Sequence, residues 1–319
     1  MGGLGAHGLH TSRLNECAAT MPQRGNCLLC QEDAELQHSH VLPAFAFRWL
    51  RESSGSGFIR TSRAPNLRAQ DGEKRYWLCS DCEQDFGELE KAFSERLFQP
   101  YLAKSGTEFR YAHWLSRFCV SVSWRVLQFF LEGEHLHTWS PESLECARRA
   151  ELAWREYLTG SRRRPGEFQQ HILPLDRIES TTAPMVPNIN RYLMRAIAMD
   201  VCRGTKMIFT FAKLGRFVIL GIVRDSGRNE FQGTLVHPAQ GVICPRKYIL
   251  PKALMGYFND KAQTMAQALS SMSDRQLQTV DATFRANIDR YMGSDAFEAM
   301  NADVEMFGDN AFSQRDEEI

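Results

Sequence analysis

Two Cys-x-x-Cys pairs stand out in the chain, Cys27-Leu-Leu-Cys30 and Cys79-Ser-Asp-Cys82. Each pair offers two sulfurs from one tight turn, and tetrahedral Zn²⁺ takes four thiolates, so the pattern predicts one structural zinc site made by Cys27, Cys30, Cys79 and Cys82. The competing reading is a set of unrelated thiols or a redox pair. Between the pairs lie His38 and His40. On a strand, residues two apart point to the same side, so both imidazoles can face one site while Ser39 faces the other. A neutral imidazole can bind a metal or take a proton from water, and either role suits hydrolysis of a phosphodiester. The alternative is that the two histidines support or replace zinc ligands in a purely structural finger.

From Cys27 to Glu90 the order of these residues resembles the HNH family of nucleases, whose ββα-metal core is often bracketed by two Cys-x-x-Cys pairs. Ser39-His40-Val41-Leu42-Pro43 is similar to the family's strand with its catalytic His, Asn66-Leu67 to its central Asn-Leu, and Glu83 follows the last Cys where the family has a His or Asn. The family's acid or His before the catalytic His is Ser39 here. The resemblance implies that His40 is the general base that activates water and that Asn66 orients the loop. It also implies that Glu83 holds a divalent cation, Mg²⁺ or Mn²⁺, at a helix start, with His38 as a possible further ligand. The expectation is a metal-dependent endonuclease acting on DNA, in a setting such as bacterial defence. The alternative is a non-catalytic zinc module that binds nucleic acid or protein. The wider set Ser39 to Pro43, Gln70-Asp71-Gly72, Cys82-Glu83 with Phe86 and Glu90, and Phe98-Gln-Pro100 also resembles a group of uncharacterised bacterial proteins, which brings no activity with it.

Arg60, Arg63, Arg68, Lys74 and Arg75 crowd the stretch between the cysteine pairs, joined by Arg48 and Arg51. Such density attracts a phosphate backbone and makes these residues the expected nucleic-acid contacts. The other reading is a solvated loop face balanced by Asp71 and Glu73. Overall the chain carries 38 basic and 38 acidic residues, so any attraction for DNA must be local. His135-x-His137 and Arg162 to Arg164 lack a ligand pattern or sufficient length and read as surface. The sequence has no phosphate-binding Gly loop, nucleophile elbow or dinucleotide fingerprint.

The elements that must position these groups read as an α+β chain. A disordered, Gly-rich leader is expected over 1–25, a zinc-stapled ββα-type module over 26–100, and a mainly helical unit with a small antiparallel sheet over 101–319. That last unit is the expected place for a protein partner or homo-oligomer contact. Residues 36–42 and the segment from Tyr76 read as strands, and 44–52 and 81–97 as helices with Pro43 and Asp81 at their starts. Residues 112–132 form an apolar helix. Arg117, Arg125 and three serines interrupt its run, which argues for a buried helix and against a membrane span. Ser140-Pro141-Glu142 opens another helix that Gly160 stops, and 188–202 reads as a further helix ending at Gly204. Short strands are expected over 207–211, 217–223, 234–237 and 241–244, and helices over 251–270 and 273–292. Nine cysteines, four of them in metal-type pairs, suit a reducing cytoplasm better than a disulfide framework.

Overall fold

The structure, a computed structural model, describes residues 23–54, 56–226, 230–245 and 248–312. The fold is α+β with small antiparallel sheets. Most of the leader, Cys17 and the acidic tail lie outside the described residues. Strand β1 (Gln23–Asn26) begins inside the stretch expected to be leader, because it pairs with the start of β2 (Asp33–His40). Helix α1 (Ala44–Glu52) follows Pro43, buries Ala46 and Trp49, and leads into the hairpin β3 (Ile59–Thr61) and β4 (Ala64–Ala69). Strand β5 (Lys74–Cys79) returns antiparallel to β2, completing a three-stranded sheet of order β1-β2-β5, and α2 (Ser80–Phe93) starts directly from Cys79. Two strands and the helix that leaves the second of them give the expected ββα arrangement around the cysteines.

A π-helical turn, Ser94–Phe98, joins α2 to the short α3 (Gln99–Leu102), with Pro100 inside that helix. Strand β6 (Phe109–Ala112) then runs into α4 (His113–Phe130), the helix around which the rest is packed. Its three serines are buried, and each has a hydrogen-bond partner. Ser116 accepts from the Tyr157 hydroxyl at 3.1 Å, Ser121 donates to the carbonyl of Phe118 at 2.8 Å, and Ser123 lies 2.7 Å from the Gln170 side chain. Helix α4 also crosses the strand Phe217–Asp225 closely at Gly221, where a Cβ would stand 2.6 Å from Ser123 Oγ. No helix of the described residues is long and apolar enough to cross a membrane.

Helix α5 (Pro141–Leu158) begins as expected, with Ser140 Oγ accepting from the Ser143 amide at 3.2 Å. The remaining strands are β7 (Gln170–Pro174), β8 (Ile197–Arg203), β9 (Met207–Leu214), β10 (Phe217–Asp225) and β11 (Gln240–Ile243), with α6 (Ile189–Arg195) ahead of β8. Four of them form a sheet of order β7-β10-β9-β8, while β11 pairs with β6 elsewhere. One face of the four-stranded sheet turns Ile172, Ala212, Phe217 and Ile219 into the core that α4 and α2 share; the other turns Leu173, Phe211, Val218 and Leu220 toward Leu254, Phe258 and Ala262. Those three belong to α7 (Lys252–Ser270), which is followed by α8 (Asp274–Ala286), α9 (Ile288–Met292) and α10 (Asp295–Phe307).

Two expectations are corrected here. The helix expected over 188–202 stops at Arg195, and 197–203 is strand β8, because its backbone completes the sheet against β9 and tertiary pairing outweighs local preference. The segment 234–237 makes an isolated bridge from Leu235 to His171 instead of a strand.

Candidate metal centre and the His40 site

The backbone of the ββα unit brings the two cysteine turns together. Cys27 accepts from the Gln31 amide through its carbonyl at 2.8 Å, Gln31 takes the left-handed conformation (φ 68°) that closes the turn, and the Leu28 amide donates to the Trp77 carbonyl at 2.8 Å. That last bond lays the first turn beside the strand that ends at Cys79. As a result the sulfurs of Cys27, Cys30, Cys79 and Cys82 all lie within 4.8 Å of one another, with Cys30 and Cys79 Sγ at 3.8 Å. Four thiols at this spacing, three of them buried and Cys30 half-buried, fit a tetrahedral zinc ion.

The electrostatics of the cluster favour the same ligand. Burial alone would raise the Cys27 thiol, but main-chain groups of Cys30, Cys79 and Leu29 converge on it and bring it down to about 7. Burial and the neighbouring thiols push Cys82 strongly upward, and burial raises Cys30. Four thiols that cannot all ionise together are what a divalent cation resolves, releasing protons as it binds.

His40 ends β2. Its Nε2 lies 2.6 Å from Asp71 Oδ1, and the ammonium of Lys74 lies 2.8 Å from Asp71 Oδ2. The imidazole approaches the carboxylate off the line of a hydrogen bond, so Nε2 is enclosed without a directed partner among the described residues. Burial would raise the Asp71 carboxyl, but Lys74, His40 and the Gly72 amide outweigh it and hold the group down at about 2. Asp71 therefore stands ionised beside His40. In sequence, Asp71 of Gln70-Asp71-Gly72 reads only as charge balance; its position just before β5 is what brings it to the end of β2.

The site also rests on a residue from outside the ββα unit. Arg125 of α4, 2% exposed, donates from Nη1 to the His40 carbonyl at 3.0 Å and from Nε to the Ser121 carbonyl at 3.3 Å, and its Nη2 lies 2.8 Å from Glu90 Oε1. Its guanidinium packs over the Phe86 ring at 5.1 Å. One buried cation thus joins the end of β2, helix α2 and helix α4. A charge in an apolar helix was visible in the sequence, but its partners, Glu90 and a main-chain carbonyl, were not.

The other expected residues are placed as follows. Glu83 sits in the first turn of α2 with Oε2 enclosed and lacking a hydrogen-bond partner among the described residues. His38 is exposed and stacks on Tyr76, with ring centroids 4.7 Å apart. Asn66 accepts from the Ser273 amide at 2.8 Å, at the start of α8. Arg60 donates to the Pro65 carbonyl and to Gln276, Arg68 packs over Phe58, and Arg75 pairs with Glu73 and packs over Phe129. Arg63 is exposed in the β3–β4 turn.

Comparison of the chain with known families, curated proteins and solved structures finds no match. Among the described residues, the four cysteines are the only group of three or more His, Cys, Asp or Glu whose ligand atoms lie within 4.8 Å of one another. His40, Asp71 and Glu83 do not gather to that degree.

Proposed function

We propose that this chain is a zinc-stapled, HNH-like endonuclease that hydrolyses phosphodiester bonds in DNA, with bacterial defence as its setting. The observation that carries the reading is the contact of His40 Nε2 with Asp71 at 2.6 Å on the strand braced by the cysteine cluster. An ionised carboxylate beside an imidazole orients the ring and holds one nitrogen, leaving the other to face a water. In this reading His40 removes the proton from the attacking water, Asp71 steadies the ring and its charge, and Arg125 is a positioning residue that fixes the His40 backbone. Lys74 and Arg75 add positive charge next to the scissile phosphate, with Arg63 and Arg68 further along the strand they would meet. Glu83, whose enclosed Oε2 lacks a hydrogen-bond partner among the described residues, and His38 are the side chains the reading assigns to a Mg²⁺ or Mn²⁺ ion, which would neutralise phosphate charge when bound.

A second reading, a non-catalytic zinc module for nucleic-acid or protein binding, is favoured by one set of observations: Arg60, Asn66 and Arg75 are engaged within the chain. The two readings separate on plasmid DNA incubated with Mn²⁺ and the zinc-loaded protein. The first expects nicked or linear product that His40→Ala and Glu83→Gln suppress, and the second expects binding without cleavage.

A further inference from the structure

We propose that the cleft between the first cysteine turn and helix α5 docks an acidic, leucine-containing peptide segment of a partner protein. The cleft encloses about 360 Å³. That is the small end of the range for ligand sites, enough for a few side chains and too little for a folded domain. Its walls carry Leu28 from the turn between Cys27 and Cys30, Leu131 and Leu136 from the end of α4 and the turn after it, and Leu144 from α5. All four are half-buried, so apolar surface from three separate elements meets water at one opening.

Charge selects the partner. Arg148 lies one turn along α5 from Leu144, is exposed, and has neither an ion pair nor a hydrogen bond among the described residues. Glu151, the one acid of the lining, is already shared by Trp124 Nε1 at 3.0 Å and Arg155 Nε at 3.1 Å. The cleft therefore offers leucine-sized apolar contacts beside an uncompensated cation, in a chain whose formal charge is zero. A segment with Leu, Ile or Met next to Asp or Glu satisfies both needs. A nucleic acid satisfies only one, because the walls present aliphatic side chains and no aromatic face for a base.

The wall is also preformed. Gln31 donates from its side chain to the Leu28 carbonyl at 2.8 Å, which fixes the turn that presents Leu28 and lowers the ordering cost of binding. The lining includes neither His40 nor Asp71, so the docking site stands or falls independently of cleavage.

The test is selection of short random peptides on the zinc-loaded full-length chain, followed by fluorescence-anisotropy titration of the recovered peptides. Recovered sequences are expected to pair Leu, Ile or Met with Asp or Glu, to lose affinity by about tenfold or more on Arg148→Glu, and to keep it on Arg148→Lys. Leu136→Asp is expected to weaken them likewise, while plasmid cleavage by the Arg148 variants stays at the wild-type level. The proposal is overturned if no peptide is enriched, if the recovered peptides are basic, or if Arg148→Glu and Leu136→Asp leave affinity unchanged. Displacement of the peptides by a DNA oligonucleotide, or concentration-dependent dimerisation lost on Arg148→Glu, would assign the cleft to nucleic acid or to a second copy and overturn it equally.

Discussion

The Arg125 guanidinium donates to the main-chain carbonyl of His40 at 3.0 Å, and the same guanidinium holds Glu90 at 2.8 Å. A charge buried this completely is stable only while both partners are present. Removing it leaves a carboxylate and a carbonyl without their donor, so Arg125→Met is expected to cost about 3–5 kcal/mol. Chemical denaturation measures that loss. Arg125→Lys keeps the charge but not the forked geometry, and is expected to recover part of the stability while changing the pH profile of any His40-dependent activity.

The cysteine cluster makes a direct prediction about metal content. Native mass spectrometry of the protein purified from zinc-supplemented cells is expected to show one bound zinc ion, lost on Cys27→Ser or Cys79→Ser. Cys202→Ser and Cys244→Ser are expected to keep the ion, because their sulfurs lie outside the cluster. Chelation should lower the melting temperature of the wild type, since the metal closes turns that the small three-stranded sheet cannot hold alone. An unchanged melting temperature after verified metal removal would contradict a structural role.

Much of this was legible in the sequence. The four thiols, the ends of α1 and the Ser140 cap of α5 follow from local chemistry: metal spacing, a proline that starts a helix, and a hydroxyl that accepts from the first free amide. What was not legible depends on distant partners. β8 reads as helix because its own residues permit one, and only the neighbouring β9 decides otherwise. The Asp71–His40 contact spans a hairpin, the Arg125 clamp joins three elements, and Asn66 is drawn to Ser273 of a helix start far along the chain. No spacing rule encodes contacts of that range.

Gly215 closes the turn between β9 and β10 at φ +58°, and a Cβ there would stand 2.6 Å from Trp49 of α1. Gly215→Ala adds both a left-handed backbone cost and a clash with a ring that Arg195 covers on another side at 5.2 Å. The expected loss is about 1–3 kcal/mol. Thermal denaturation checks it, and Trp49→Leu in the same background should return part of the loss by making room.

His171 sits in β7, 4% exposed, with Nδ1 2.9 Å from the Thr234 hydroxyl and its ring against Phe231. Burial pushes its imidazole down to about 4. The unfolded chain, with an ordinary histidine near 6.5, therefore binds more protons between those values. Stability from this residue is held above about pH 6.5 and is lost as pH falls toward 4, by on the order of 3 kcal/mol. Denaturant midpoints at pH 7.5 and pH 5 should differ less in His171→Gln than in the wild type; equal differences would show that other groups carry the acid sensitivity.

The central claim concerns His40, and it is tested most directly by the rate at which zinc-loaded protein nicks supercoiled plasmid in the presence of Mn²⁺. The account predicts measurable nicking by the wild type and a fall of about 10²-fold or more in His40→Ala at unchanged zinc content. Intact plasmid with the wild type, or equal rates for the two proteins, would contradict it.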